Sequence, residues 1–594
     1  MVRRRTGSRV RRGVGAAEAG TGNRASGPRI RVLCNPWWNQ SGRGCVVVQS
    51  ASSPPLSMRP TRLLPLVCAT LLAVPSSAQC PDELLVPLDN EPGDRFGLNV
   101  ALSGSLALIG APFDDDDGER SGAAYVWERQ STGWVEVAKL TASDAAMGDR
   151  FGFAVALDGE RAVVGARYDQ DVGYGTGAIY VFERQGGAWV ETAKLQPDNA
   201  QAGDLFGNDI DLEGDTIVVG SSAHGTGALA QSGAAFVFRQ VGGTWQQTGK
   251  LTPIELQSGD TFGEAVAISD GRIAVSAARQ DVQGTNSGSV YIYSQFGGFW
   301  SQEAKIVPPG GSEFDLFGAS LSLDGTRLIV GSVLDDDFGT DAGSCYIYQR
   351  QFGVWQLVEE IGPSDPTLFA QFGVSVAIEG QRALVGADRD TAAGPASGSI
   401  YVFEQSASGW EQVAKLRVAE VAPSDTFGHA VALDGGRLLV GAPFHDAAHA
   451  DGGAAWIYES FQPALQADLS ALSLAAGGTQ QFNLRTCASL AGRPYLLLST
   501  ASGNSPGQLL DGQLLPLQVD PLLEASAALA NQAPWTDSVG FLDANGFASA
   551  RFSVPPGPWP GLAGTTLHHA FLVFDLAGPK VVLGSNAVAL DLLP

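Results

Sequence analysis

The chain has 594 residues, of which 75 are glycine and only 17% are charged, with 62 acidic residues against 37 basic ones. A net charge of −25 excludes the basic surface that a nucleic-acid binder needs. A hydrophobic content of 44% excludes a disordered chain, and three Met with few Lys argue against a helical bundle. High Gly, low charge and abundant Val, Ala and Leu favour short strands joined by tight turns.

Residues 1–57 carry scattered arginines and no periodicity, and read as an extension that is not native. Residues 58–78 read as a secretory signal peptide: Met58-Arg-Pro-Thr-Arg62, the apolar run Leu63–Val74 and the small residues Ser76-Ser-Ala78. The apolar run is short for a membrane span, and no later stretch is suited to one. Removing 1–78 takes away twelve Arg and one Glu, leaving 25 basic against 61 acidic residues, a net of −36. Cys80, Cys345 and Cys487 then allow one disulfide at most and leave a free thiol. The expected tie is Cys80–Cys487, with Cys345 buried.

From residue 79 to 461 one unit recurs. Phe-Gly stands at Phe96, Phe151, Phe206, Phe262, Phe317, Phe372 and Phe427, at spacings of 55, 55, 56, 55, 55 and 55. Units begin near 94, 149, 204, 260, 315, 370 and 425. In the second copy, strand a is Gly152–Leu157, Asp158-Gly159 a hairpin turn, strand b Arg161–Gly165, and Ala166–Thr176 a loop. Strand c is Ala178–Glu183, and Gly186-Gly187 leads to strand d, Trp189–Leu195. A four-stranded meander cannot bury both faces alone, so neighbouring units must stack. Strand d carries Trp with Lys five residues later, as in Trp134/Lys139, Trp189/Lys194, Trp245/Lys250, Trp300/Lys305 and Trp410/Lys415; Trp355/Glu360 reverses the charge. The seventh unit lacks this strand, while an orphan apolar strand, 83–88, precedes the first. That mismatch predicts a closed seven-bladed β-propeller in which 83–88 completes blade seven. The tryptophans, one per blade, read as packing between blades.

The pattern resembles the FG-GAP repeat family, the repeats of the integrin α-chain head, and most closely its secreted bacterial branch. Gly-Ala-Pro is intact at Gly110-Ala111-Pro112 and Gly441-Ala442-Pro443. The resemblance implies an extracellular adhesion or recognition protein. Integrin-type repeats often hold calcium between Phe-Gly and Gly-Ala-Pro, but here that connection is a tight turn with one or two acids, too few for the six to eight oxygens calcium takes.

The b–c loops are richer in acid. Asp114, Asp116, Asp335, Asp337 and Asp341 are candidate calcium ligands, although adjacent Asp side chains diverge. Asp169, Asp171, Asp388, Asp390, Asp446 and Asp451 extend the acidic face as a candidate binding surface, with solvated loops as the plain alternative. The Asp-x-Phe-Gly carboxylates read as turn caps. Gly503-Asn-Ser505-Pro-Gly507 matches a nucleophile elbow only formally, since Pro506 and Gly507 form a turn where a helix is needed. His445 and His449 share a loop with Asp446 and Asp451.

Residues 462–594 show apolar runs at Ala471–Leu474, Gln480–Arg485, Tyr495–Ser499, Leu514–Val519, Ala548–Val554, Leu567–Leu576 and Asn586–Leu592, which suggests a β-sandwich-like domain. Gly492-Arg-Pro-Tyr-Leu-Leu-Leu498 and Ser585-Asn-Ala-Val588 resemble a C-terminal module of large secreted bacterial proteins. The expectation is therefore an all-β chain: a seven-bladed β-propeller followed by a sandwich-like domain. It is expected to be secreted or held in the cell envelope, monomeric and not an enzyme, and to bind an extracellular protein or glycan through its acidic loop face. The alternatives are a hydrolase or lyase with its site at the propeller axis or Ser505, and a purely structural envelope or matrix protein. The chain should bind no nucleic acid and have no membrane span; calcium is the one cofactor suggested.

Overall fold

The computed structural model describes residues 81–594, except 226–228, 392, 408, 419, 460–464, 487–489, 503–507, 511–512, 516, 545, 558–562, 576–580, 586 and 594. The signal segment, Cys80, Cys487 and the Ser505 motif lie outside the described residues. Cys345 is a buried free thiol.

Seven four-stranded antiparallel sheets follow one another. In blade two the strands are Phe151–Asp158, Arg161–Ala166, Ala178–Gln185 and Ala188–Leu195. The turn between the first two is Gly159-Glu160, one residue later than expected, with Gly159 at φ +56°. Blade seven takes three strands from the end of the repeats and its fourth from the start. Glu83–Leu85 lies antiparallel to Ala454–Tyr458, pairing Glu83 with Ile457 and Leu85 with Ala455. The strand is shorter than 83–88 because Pro87 has no N–H to donate to a ladder.

The core lies between blades. Seven apolar clusters each draw on two neighbouring blades, including the pair that closes the ring. Each Phe of Phe-Gly is fully buried and meets an aromatic ring of its own strand c edge-on, from Phe96–Tyr125 at 5.6 Å to Phe427–Trp456 at 5.3 Å. The strand-d tryptophans join these interblade clusters, with Trp134 and Trp410 buried.

The links between blades are equally regular. The backbone of each Phe-Gly Phe bonds to the residue before a glycine that opens strand c of the preceding blade, as in Phe151 N to Ser121 O at 2.8 Å and Phe96 N to Gly452 O at 3.0 Å. That glycine is required: Gly122 sits at φ +88°, and a Cβ there would lie 2.1 Å from the Phe151 carbonyl oxygen. The a–b turns form a second set of links. Asp158, Asp324 and Asp434 each accept from the turn N–H of the next blade, at Gly214, Gly380 and Gly104, all at 2.7 Å. Glu213 and Glu379 do the same, as do Ser103 and Ser269. The turn acids thus join blades.

Strand a is an edge strand whose N–H groups need acceptors. In blade three, Asp209 and Asp211 accept from Val266 N and Ile268 N of blade four, both at 2.7 Å. Burial pushes the Asp211 carboxyl up to about 7 and Asp209 up to about 6, against these backbone bonds. The folded chain holds these protons more tightly than the unfolded one. Stability is therefore fullest below the ordinary carboxylate pKa and falls as pH rises towards 7. Asp211→Asn should accordingly stabilise the chain by about 1–3 kcal/mol at pH 8 and by almost nothing at pH 4. Denaturant unfolding at both pH values checks this; an equal effect at both would refute it.

The C-terminal residues form two further sheets. One contains Leu465–Ala467, Gly478–Arg485, Phe547–Val554 and Trp535–Thr536; the other is built around Pro494–Thr500, Thr566–Phe574 and Val588–Leu593. Phe482, Leu484 and Phe552 from the first share one core with Leu497, Phe571 and Leu590 from the second. A short helix, Pro521–Ala528, was not expected; Asp520 caps it by accepting from Leu523 N at 2.7 Å.

Candidate functional site

Each b–c loop turns one side chain inward, under the aromatic residue of strand c and opposite the Lys position of strand d. In blade one, Asp114 is 2% exposed and accepts from the Tyr125 hydroxyl at 2.9 Å. Lys139, paired across the sheet with Tyr125, places its Nζ 2.8 Å from Asp114, 2.6 Å from Asp116 and 2.9 Å from Asp89. Burial works against the Lys139 charge, yet the three carboxylates outweigh it and hold its pKa above the usual lysine range. Blade two repeats the arrangement: Lys194 lies 2.7 Å from both Asp144 and Asp169 and 2.5 Å from Asp171. In blade six, Lys415 and Asp390 meet at 2.6 Å with both side chains fully buried.

Three blades use other chemistry. His224 replaces the Asp in blade three, 2.9 Å from Asp204 and 2.8 Å from Lys250. Gln280 replaces it in blade four and accepts from Tyr291 at 2.9 Å. In blade seven, His445 lies 2.6 Å from Asp425 and edge-on to Trp456.

Blade five keeps the Asp and loses the cation. Asp335, 3% exposed, accepts from the hydroxyls of Tyr346 and Ser344, both at 2.8 Å. The residue opposite Tyr346 is Glu360, where blades one, two and six have Lys. Oxygens of Asp335, Asp337 and Glu360 lie within 4.8 Å of one another. Among the described residues none of the three has a basic side chain within 4.0 Å. Burial, then the charges of Asp335 and Asp337, push the Glu360 carboxyl up to about 7.

These positions revise several expectations. Asp114 and Asp116 are engaged by Lys139, so they are not free to ligate an ion. Asp341 stands apart from the blade-five cluster, its backbone N–H bonded to Asp336 at 2.7 Å. Asp169, Asp388 and Asp390 are buried and cannot form a binding surface, because each turns inward to a partner within the protein. Asp171 is exposed but paired with Lys194, whereas Asp446 and Asp451 are exposed on the blade-seven loop. The Asp-x-Phe-Gly carboxylates cap turns, as Asp149 does on Ala146 N at 3.0 Å and Asp204 on Gln201 N at 2.8 Å. Glu360 was missed as a candidate ligand, although its signal was the one acidic residue in the Trp-to-Lys spacing.

The ring defines a seven-bladed β-propeller. A family model described as FG-GAP repeat matches residues 83–127, 134–182, 189–238, 245–293, 300–348, 355–403 and 410–458, and the chain belongs to that family. Each matched unit starts with the outer strand of one blade and runs through three strands of the next, so the first opens on Glu83–Leu85. No curated protein matches the chain.

Similar solved structures include the β-propeller domain of the Trilobed protease from Pyrococcus furiosus, at 10% identity and TM-score 0.34, over 58% of this chain and 90% of that one. Another is an acylaminoacyl peptidase from Pyrococcus horikoshii, at 9% identity and TM-score 0.35, over 68% and 61%. A third is a xyloglucanase from Xanthomonas campestris, at 14% identity and TM-score 0.38, over 85% and 81%. With hydrolases among these structures, the expectation that the chain is not an enzyme does not stand. The likenesses concern the fold alone and assign no activity to this chain. Among the described residues no helix is long and apolar enough to cross a membrane.

Proposed function

We propose that the chain is a secreted ligand-binding propeller of the adhesion type, with a calcium ion held by Asp335, Asp337 and Glu360. The observation that carries this reading is the charge reversal at Glu360. In three other blades an ammonium neutralises the inward carboxylates, and here a third carboxylate takes its place. A divalent cation supplies the missing charge. Three carboxylates offer three to six oxygens, at most the low end of the six to eight that calcium accepts. Asp337 is exposed, so the remaining positions open to water or to an acidic group of the ligand. That ligand is an extracellular protein or glycan approaching the b–c loop face.

Titration calorimetry of the full chain with calcium tests the reading. One calcium per chain is expected, with a rise in Tm, and Asp337→Asn should weaken binding at least tenfold. Absence of calcium binding to the wild-type chain would overturn it.

A further inference from the structure

Blades seven, one and two carry a second feature, with charge opposite to the rest of the loop face. The residue before Phe-Gly is Arg in blades one and two only, at Arg95 and Arg150; elsewhere it is Leu205, Thr261, Leu316, Gln371 and Thr426. All seven share the same positive φ, from 54° to 59°. The loop geometry therefore does not call for arginine. The third residue of the Gly-Ala-Pro loop start is followed by an aromatic ring in the same three blades: Phe113, Tyr168 and Phe444.

Rings and guanidiniums alternate. Arg95 lies 4.6 Å from the Phe444 ring and 4.2 Å from Phe113. Arg150 lies 4.9 Å from Phe113 and 4.5 Å from Tyr168, and Arg120 reaches Phe113 at 5.9 Å. The rings hold the guanidiniums in place but give their N–H groups no oxygen acceptor. Among the described residues, none of the three has a carboxylate oxygen within 4.0 Å. Three guanidiniums gathered around one ring without a close ion pair leave donors open to an anion.

A cavity of about 310 Å³ opens beside them, lined by Arg95, Arg120 and Phe113 together with Asp115 and Asp451. That volume is at the lower end for small-ligand sites. The mixed lining selects the ligand. Guanidiniums donate in pairs to a carboxylate, whereas Asp115 and Asp451 repel a bare anion and accept from hydroxyls. A sugar that bears both a carboxylate and hydroxyls satisfies both sets.

We infer that this cavity binds a uronic acid unit, with its carboxylate on Arg95 and Arg120 and its hydroxyls towards Asp115 and Asp451. The site stands apart from blade five and does not depend on the calcium reading.

The test is equilibrium binding of glucuronate, glucose, sulfate and glutamate to the full chain in buffer containing a calcium chelator. Glucuronate should bind at least tenfold more tightly than each of the other three. Arg120→Gln should weaken glucuronate at least fivefold with Tm unchanged, and Arg95→Gln at least tenfold; Arg120, exposed, keeps the test valid if the Arg95 variant fails to fold. Glucose binding as tightly as glucuronate would overturn the inference. Equal binding of sulfate would reduce the site to a general anion site, and equal binding of glutamate would make it an amino-acid site; either refutes the uronate. So would no binding of any probe, or an Arg120→Gln variant that binds glucuronate unchanged.

Discussion

Replacing Lys415 with Met is expected to cost the propeller about 3–5 kcal/mol. The Lys415 side chain is fully buried and lies 2.6 Å from Asp390 and 3.0 Å from Asp365, themselves 0% and 12% exposed. Its ammonium also sits 4.6 Å from the Tyr401 ring. Methionine matches the length of the stem but leaves two carboxylates facing one another with little water. Burial has already pushed the Asp365 carboxyl up to about 6 in spite of the lysine. Without the lysine the Asp365 carboxyl should rise further and take up a proton on folding. The loss should then be largest near pH 8 and shrink as pH falls towards 5. Lys139→Met is the control. Its side chain is 19% exposed and two of its partners, Asp89 and Asp116, are open to solvent at 41% and 54%. About 1 kcal/mol is expected there. Denaturant unfolding of both variants decides the matter, and equal losses would show that burial does not set the strength of these lysine hubs.

Glu360→Lys should do the opposite in blade five. It installs the cation that the other blades use, in the same register opposite the strand-c tyrosine. Removing one of three crowded carboxylates and pairing the other two should stabilise the calcium-free chain by about 1–3 kcal/mol. It should also abolish the rise in Tm on adding calcium, because the ammonium fills the place of the ion. A Glu360→Lys chain that still responds to calcium would place the ion elsewhere. Thermal unfolding of wild type and variant, with calcium and with chelator, measures both effects together.

The ring was legible because its signals are local and repeated. Phe-Gly, the turn acids and the Trp-to-Lys spacing recur in step, and the surplus strand at one end answers the missing strand at the other. The inward course of the b–c carboxylates was not legible. An Asp in a polar loop looks solvated, yet Asp169 is buried against Lys194, 25 residues later on strand d, which neutralises it, and against the Tyr180 hydroxyl. The same blindness hid the stacked arginines: Arg95 and Phe444 come together only when blade seven closes on blade one. The helix at Pro521–Ala528 did have a local signal, Asp520 followed by Pro521; the all-β reading of the surrounding apolar runs concealed it.

The pairing of Glu83–Leu85 with Ala454–Tyr458 also sets an order of events. On a ribosome the strand that finishes the last blade is made before any complete blade, and must wait for a partner 370 to 374 residues away. Closing so long a loop adds only modest entropy, since that cost grows with the logarithm of length, but the contact cannot form early. Until it does, Ala454–Tyr458 presents an open edge able to pair with another chain. The same seam is where mechanical or thermal opening would begin, because the outer strand there has three residues where the other outer strands have seven or eight.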